Sequence, residues 1–319
     1  MENSIRPNKI FSHLDRVVNS HKPITADVFL NNYCNNACPH CTYRRWDLDE
    51  GARYMPFKDF VKYAKRMRRL GIQGIILTGG GEPTISRDFD QITQWLDEHE
   101  IPYGVNTNFN RYAYCKPRYL KVSLDGWDRE SYMARRGVDA YDKVVENVIQ
   151  YSAEKPMTTT LGIQLIATHK DDVYRFWEAN KDLPVDYIVI RPVESTDGSF
   201  YRTAVNDPDT HPKAIIEAIK NVSELDERVV MNFKWNMLDS RFLQCEGQWS
   251  QLAINELGEV MYCCHKPYQI VGHIMDDDIL WKKQTALTDM KMCDVPCRLT
   301  TVNKDLEMLS SKARDYEFI

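Results

Sequence analysis

From residue 25 to residue 225, short apolar runs alternate with amphipathic stretches. TADVFLNN (25–32), IQGIILTG (72–79), YGVNTNF (103–109), YLKVSLDG (119–126), TTLGIQLIATH (159–169) and VDYIVIRPVE (185–194) each predict a strand. Helices are predicted between them. In the first, Phe57, Phe60, Val61, Ala64, Met67 and Leu70 share one stripe, and Lys62, Lys65, Arg66 and Arg69 share the other, a solvated outer face. Further helices are expected over 87–100, 141–153, 173–180 and 212–225. Strands that are apolar along most of their length, each followed by a helix, predict an α/β fold with a parallel sheet, open or closed into a barrel. In that architecture chemistry sits at the C-terminal ends of the strands. The alternation stops after about residue 230. QLAINELGEVMYCC (251–264) reads as a hairpin turning near 256–258, and a domain boundary is expected between 235 and 244.

Composition narrows the picture modestly. A chain of 319 residues with 43% hydrophobic and 27% charged residues can bury a full core without disulfides. Neither a secretory signal nor a run of about 20 apolar residues is present, so a cytoplasmic protein without a membrane partner is expected. A net charge of −5 gives no general drive toward nucleic acid. Nine cysteines, an odd number, argue against a disulfide framework and for metal or redox chemistry.

The cysteines are not scattered. NNYCNNACPHC places Cys34, Cys38 and Cys41 at the end of the first predicted strand. Thiolates select zinc, copper(I) or iron–sulfur clusters. By spacing alone this loop could be part of a zinc site, with His40 or a distant cysteine as fourth ligand. TGGGEP (78–83) follows the second strand; its glycines admit close backbone approach to a ligand but match no dinucleotide or nucleoside-triphosphate loop.

C-x3-C-x2-C after strand one and Gly80-Gly81-Glu82 after strand two together resemble the radical SAM superfamily. The resemblance implies a partial (β/α)6 TIM-like barrel. It also implies a [4Fe–4S] cluster on Cys34, Cys38 and Cys41, with S-adenosylmethionine on its open iron and the glycine backbone holding the amino group. KVSLDGWDRESYMARRG (121–137) is similar to the fourth-strand segment of members with SPASM or Twitch domains, which carries Ser123 and Arg136 to the cofactor's ribose and carboxylate. Thr107 and Asn108 occupy the place of a cofactor-contacting T-N-G segment, with Phe109 where that segment has glycine.

A second set resembles the SPASM/Twitch auxiliary domain: Cys245, then Gly258 and Cys263, then CDVPCR with Cys293 and Cys297. This implies one auxiliary [4Fe–4S] cluster on Cys245, Cys263, Cys293 and Cys297; a structural zinc knot on the same thiols is the alternative. On this reading residues 1–24 are an N-terminal extension, 25–238 the core barrel and 239–319 the auxiliary domain. Cys264 is a spare thiol, a ligand in place of its neighbour, or a hydrogen-atom donor. Cys115 is expected to be a packed core thiol.

The resemblance further implies reductive cleavage of S-adenosylmethionine to a 5′-deoxyadenosyl radical, fed by a flavodoxin- or ferredoxin-type donor. That radical takes hydrogen from a substrate C–H bond. Dehydrogenation or epimerisation of a small polar, sugar- or aminocyclitol-like substrate is expected, with Cys264, Arg191 and Glu194 as catalytic candidates. The alternative is a ribosomal-peptide maturase, although the segment before Thr25 is short for a leader-binding domain. A non-enzymatic iron–sulfur or zinc protein is the remote alternative; it predicts closed four-ligand sites.

Overall fold

The computed structural model describes residues 22–41, 51–193, 207–230, 242–293 and 299–310, together with 12, 13, 15, 16, 20, 43 and 297. Six parallel strands form its centre: β1 (Thr25–Phe29), β2 (Gly74–Thr78), β3 (Tyr103–Thr107), β4 (Tyr119–Ser123), β5 (Thr160–Ala167) and β6 (Tyr187–Pro192). Helices α1 (Phe57–Leu70), α2 (Phe89–Glu98), α3 (Arg129–Arg136), α4 (Tyr141–Glu154), α5 (Lys170–Asn180) and α6 (Pro212–Leu225) cover one side. The pairing is parallel at every step from β1 to β6, and β7 (Val229–Val230) adds a short parallel edge. The predicted α/β barrel is thus present as an open sheet.

The C-terminal hairpin does not stand apart from this sheet. Its strands β8 (Gln251–Ile254) and β9 (Glu259–Met261), with β10 (Ile270–His273), extend it to ten strands in the order β10-β9-β8-β1-β2-β3-β4-β5-β6-β7. β8 runs parallel to β1, with Asp27 opposite Ala253. The basic face of α1, expected to be merely solvated, helps hold this segment: Arg66 donates to the carbonyls of Ile274 (3.4 Å) and Asp276 (2.9 Å). Helices α7 (Ile279–Thr285) and α8 (Thr300–Ser310) complete it.

Period-two alternation sorts each strand's side chains onto two faces. Ala26, Val28, Ile75, Leu77, Val105, Leu120, Val122, Ile163, Leu165, Ile188 and Ile190 join the core beneath the helices. The opposite, inner face carries Asp27, Thr78, Asn106, Lys121, Ser123, Gln164 and Arg191, in addition to Phe29 and Ile76. Two tyrosines lie across glycines of neighbouring strands on this face, Tyr119 over Gly104 and Tyr187 over Gly162, where a Cβ would meet each ring at 2.2 Å. Among the described residues no helix is long and apolar enough to cross a membrane.

Candidate active site

The loop after β1 folds back on the loop after β2. Gly81 N–H donates to the Asn31 carbonyl (3.0 Å), Glu82 N–H to the Tyr33 carbonyl (2.9 Å), and Asn31 Nδ2 to the Glu82 carbonyl (2.8 Å). Gly81 is required by contact: a Cβ there would lie 1.9 Å from the Tyr33 carbonyl oxygen. The clasp brings the glycine run against the cysteine loop, as the sequence motif requires.

Glu82 is 3% exposed, and its carboxylate is saturated with donors. Oε1 accepts from Thr84 N–H (3.0 Å), Thr84 Oγ1 (2.7 Å) and Thr107 Oγ1 (2.6 Å), while Oε2 accepts from Asn108 N–H (2.7 Å). Glu82 thus locks the end of β3 to the end of β2. Asn108 continues the chain of bonds, donating to Asn35 Oδ1 (2.6 Å) and lying 3.7 Å from Cys34 Sγ. Phe109 sits at φ +58 and is fully buried, packed against Tyr112 and Tyr151. A residue with the left-handed backbone of the expected glycine therefore survives as a core anchor.

Arg136 ends α3. Its carbonyl accepts from Ala37 N–H (2.9 Å) and from Cys38 Sγ (3.7 Å), and its guanidinium pairs with the buried Asp125 at 2.9 Å. Gly137 follows at φ +71, where a Cβ would lie 2.6 Å from the Ala37 carbonyl. The Arg-Gly pair therefore grips the cysteine loop through its backbone. Ser123 ends β4 opposite Gln164. Arg191 lies on the inner face of β6 within electrostatic reach of His40, whose imidazole is held below its ordinary pKa first by burial. Glu194 lies outside the described residues.

The second cysteine set lines a cavity of about 520 Å³. Cys245, Cys263, Cys264, Cys293 and Cys297 all border it, and it reaches Asp27 on the inner face of β1. The adjacent thiols Cys263 and Cys264 part company here. Cys263 packs with Cys245, Tyr262, Cys297 and Leu299, whereas Cys264 packs with Phe29, Ala253, Met261 and Tyr43. Tyr43 in turn lies against Gly80, where a Cβ would meet its ring at 2.6 Å. Cys264 thus packs toward the glycine run and Cys263 toward the other C-terminal cysteines, while both thiols border the cavity. Cys115 is a core thiol, as expected.

These residues fit thiolate-bound clusters. A single tetrahedral zinc would hold its sulfurs about 3.8 Å apart, the spacing implied by Zn–S bonds of about 2.3 Å. Among the described residues, the only trio of His, Cys, Asp or Glu with ligand atoms all within 4.8 Å is His169, Asp207 and Asp209. No three of the described cysteines are that close; the soft thiolate donors are what suit these sets to iron–sulfur chemistry. Burial pushes the Cys38 thiol up, and the Cys245 thiol up to about 12, so metal must displace protons to bind. Near the glycine clasp, Asn31 Oδ1 and, on β3, Asn106 Oδ1 are buried acceptors without a partner, as a polar ligand at this mouth requires.

Asp27, Asn106, Lys121 and Gln164 on the inner face, and Lys283 behind the cavity, were not singled out by the motifs. The polar residues at alternate strand positions were the available signal for the first four.

The clasped loops gather at the C-terminal ends of the parallel strands, and comparison with known proteins bears on what such a site holds. Residues 28–172 match the family described as Radical SAM superfamily. Over those residues the chain carries a radical SAM domain. It is 28% identical over 172 residues to a probable GTP 3′,8-cyclase of Saccharolobus islandicus (strain M.14.25 / Kamchatka #1), covering 50% of this chain and 54% of that one. It is 31% identical over 136 residues to a probable GTP 3′,8-cyclase of Pyrococcus horikoshii, covering 40% and 43%. The chain thus spans about half the length of the curated relatives it matches. In fold it is similar to Streptococcus suis SuiB bound to precursor peptide SuiA: TM-score 0.63, 13% identity, 97% of this chain and 77% of that one. It is also similar to methylornithine synthase (PylB), with TM-score 0.51, 13% identity and coverage of 95% and 87%.

Proposed function

We propose that this radical SAM enzyme acts on a C–H bond of a small polar substrate of the sugar or aminocyclitol kind, with epimerisation as the favoured outcome. Held by Cys34, Cys38 and Cys41, a [4Fe–4S] cluster with S-adenosylmethionine would supply the 5′-deoxyadenosyl radical that removes the hydrogen atom. The Gly80–Gly81 backbone, with Thr107, Asn108, Ser123 and Arg136, is assigned to holding and orienting the cofactor. Cys245, Cys263, Cys293 and Cys297 are assigned to one auxiliary [4Fe–4S] cluster of the SPASM/Twitch kind.

The observation that carries this reading is the placement of Cys264 beside Phe29 and Tyr43, on the side of the glycine run. From there its S–H bond can break homolytically as a new C–H bond forms on the substrate. The sulfur radical left behind is restored by one electron from a flavodoxin- or ferredoxin-type donor and one proton from solvent. The inner face carries Asp27, Asn106, Lys121, Gln164 and Arg191, hydrogen-bonding side chains that suit a hydroxyl- or amine-bearing substrate, and Asn106 Oδ1 is a buried acceptor without a partner. Arg191 is the proposed substrate anchor. Dehydrogenation is the second reading, favoured by Asp27: a buried carboxylate on the wall of the auxiliary cavity could take the proton as the auxiliary cluster takes the electron. A precursor peptide, such as the one SuiB binds, is the competing substrate class.

The test is turnover of a sugar and aminocyclitol panel in deuterated water. Deuterium at the inverted carbon with the wild type, and 5′-deoxyadenosine without labelled product with Cys264→Ser, is the expected result. A product lacking a pair of hydrogens and free of carbon-bound deuterium would overturn epimerisation.

A further inference from the structure

Lys283 has a charge that the sequence motifs do not use. It lies in the last turn of α7, and its side chain runs inward until only 1% of the residue is exposed. Nζ donates to the Met261 carbonyl at 3.1 Å and to the Tyr262 carbonyl, and lies 5.4 Å from the centroid of the Tyr262 ring. Those carbonyls belong to the two residues immediately before Cys263. The Gln248 amide caps the Lys283 carbonyl, which fixes the backbone from which the side chain projects.

A buried ammonium costs several kcal/mol unless it is paired. Cys263, Cys245, Cys264 and Asp27 are the groups whose negative charge acts on Lys283. Burial is the largest influence and draws the amine down to about 8, while those groups act the other way. Iron-bound thiolates in the same places would supply counter-charge. The fold thus sets a buried cation, Lys283, behind a set of groups that become anionic together when they bind iron, with Lys266 on the cavity wall as a second buried amine.

We infer that Lys283 is the electrostatic counterweight of the auxiliary site and raises the reduction potential of the cluster held by Cys245, Cys263, Cys293 and Cys297. The inference rests on the auxiliary-cluster assignment made above. Cluster potentials respond to net charge, hydrogen bonds and burial. Reduction adds one negative charge to a site already anionic from four thiolates. A cation in a low-dielectric wall therefore stabilises the reduced form more than the oxidised one. Lys283 is a positioning residue, acting through the cluster rather than on substrate.

The experiment uses the full chain carrying Cys34→Ala, Cys38→Ala and Cys41→Ala, so that only the auxiliary cluster is loaded. Iron is counted after anaerobic reconstitution, and the potential is read by a redox titration followed by electron paramagnetic resonance. About four irons per chain are expected, one [4Fe–4S] cluster. Lys283→Met should retain that iron and shift the reduction equilibrium at least tenfold toward the oxidised form, about 59 mV for one electron. Lys283→Arg should stay near the parent. Loss of iron from Lys283→Met but not from Lys283→Arg also supports the inference, since charge is then what holds the cluster. Iron retained with the potential unmoved, or iron lost from both variants, overturns it and leaves the cluster assignment standing. Absence of iron in the parent overturns the assignment itself, and this inference with it.

Discussion

Glu82 Oε2 accepts a hydrogen bond from the backbone N–H of Asn108 at 2.7 Å, so the loop after β2 holds the end of β3 directly. Four donors converge on this one buried carboxylate. Glu82→Gln keeps the shape but turns one acceptor into a donor facing donors. A cost of about 2–3 kcal/mol is expected, the range for a buried charge-assisted network losing a partner. Urea denaturation of the metal-free protein reads the stability. S-adenosylmethionine binding to the iron-loaded protein should weaken as well, because Thr107 and Asn108 lose their register with the glycine run. Unchanged stability and affinity would show that Glu82 is not the lock.

Arg136 and Asp125 form a buried ion pair at 2.9 Å, with the Asp125 side chain fully enclosed. Asp125 also accepts from Ile166 N–H at 2.7 Å, so it ties β5 to the arginine that grips the cysteine loop. Arg136→Met strands that carboxylate and should cost about 3–5 kcal/mol. The double variant Asp125→Asn/Arg136→Met should recover a large part of the loss. If the double variant is as unstable as the sum of the two singles, the pair contributes nothing as a pair.

The strands were legible because their apolar residues recur at alternate positions, and each predicted run contains a strand of the sheet. The pattern overruns their C-terminal limits. Residues such as Asn31 and Leu124 carry it on after the backbone has left the ladder. Helix α3 left no apolar stripe to read: of RESYMARR only Tyr132 and Arg136 are buried. Its trace was in the caps instead, with Asp128 and Ser131 in a reciprocal box at the start and Gly137 at the end. The parallel pairing of β8 with β1 was not legible, because a strand's own pattern says which face is apolar and not which strand lies beside it. The same limit applies to Cys263 and Cys264: spacing located the pair but could not say which thiol packs with Cys245 and which with Phe29 and Tyr43.

Phe109 offers a contest between backbone and packing. At φ +58 its left-handed backbone costs about 1–2 kcal/mol relative to glycine. Removing its fully buried ring forfeits about 3–5 kcal/mol, the range for large-to-small aromatic changes. Packing outweighs backbone strain, so Phe109→Gly should be destabilised by roughly 1–4 kcal/mol even though it restores the residue the motif usually has. Thermal unfolding of the metal-free protein checks the sign. A variant more stable than the parent would mean that the strain at this turn exceeds what the buried ring contributes.

Cys263 and Cys264 are neighbours in sequence with different company, and iron content should separate them. Cys263 packs with Cys245 and Cys297, so Cys263→Ser should remove one cluster and halve the iron, from about eight to about four per chain. Cys264 packs with Phe29 and Tyr43, so Cys264→Ser should keep the full count. Both variants should still cleave S-adenosylmethionine under strong reductant, because Cys34, Cys38 and Cys41 are untouched. The reverse pattern, iron lost from Cys264→Ser and kept in Cys263→Ser, would assign the ligand to the other thiol and remove the proposed hydrogen donor at the same stroke. Equal loss from both would mean that the pair acts as one ligand site, with either sulfur reaching the metal by a small rotation of the chain after β9.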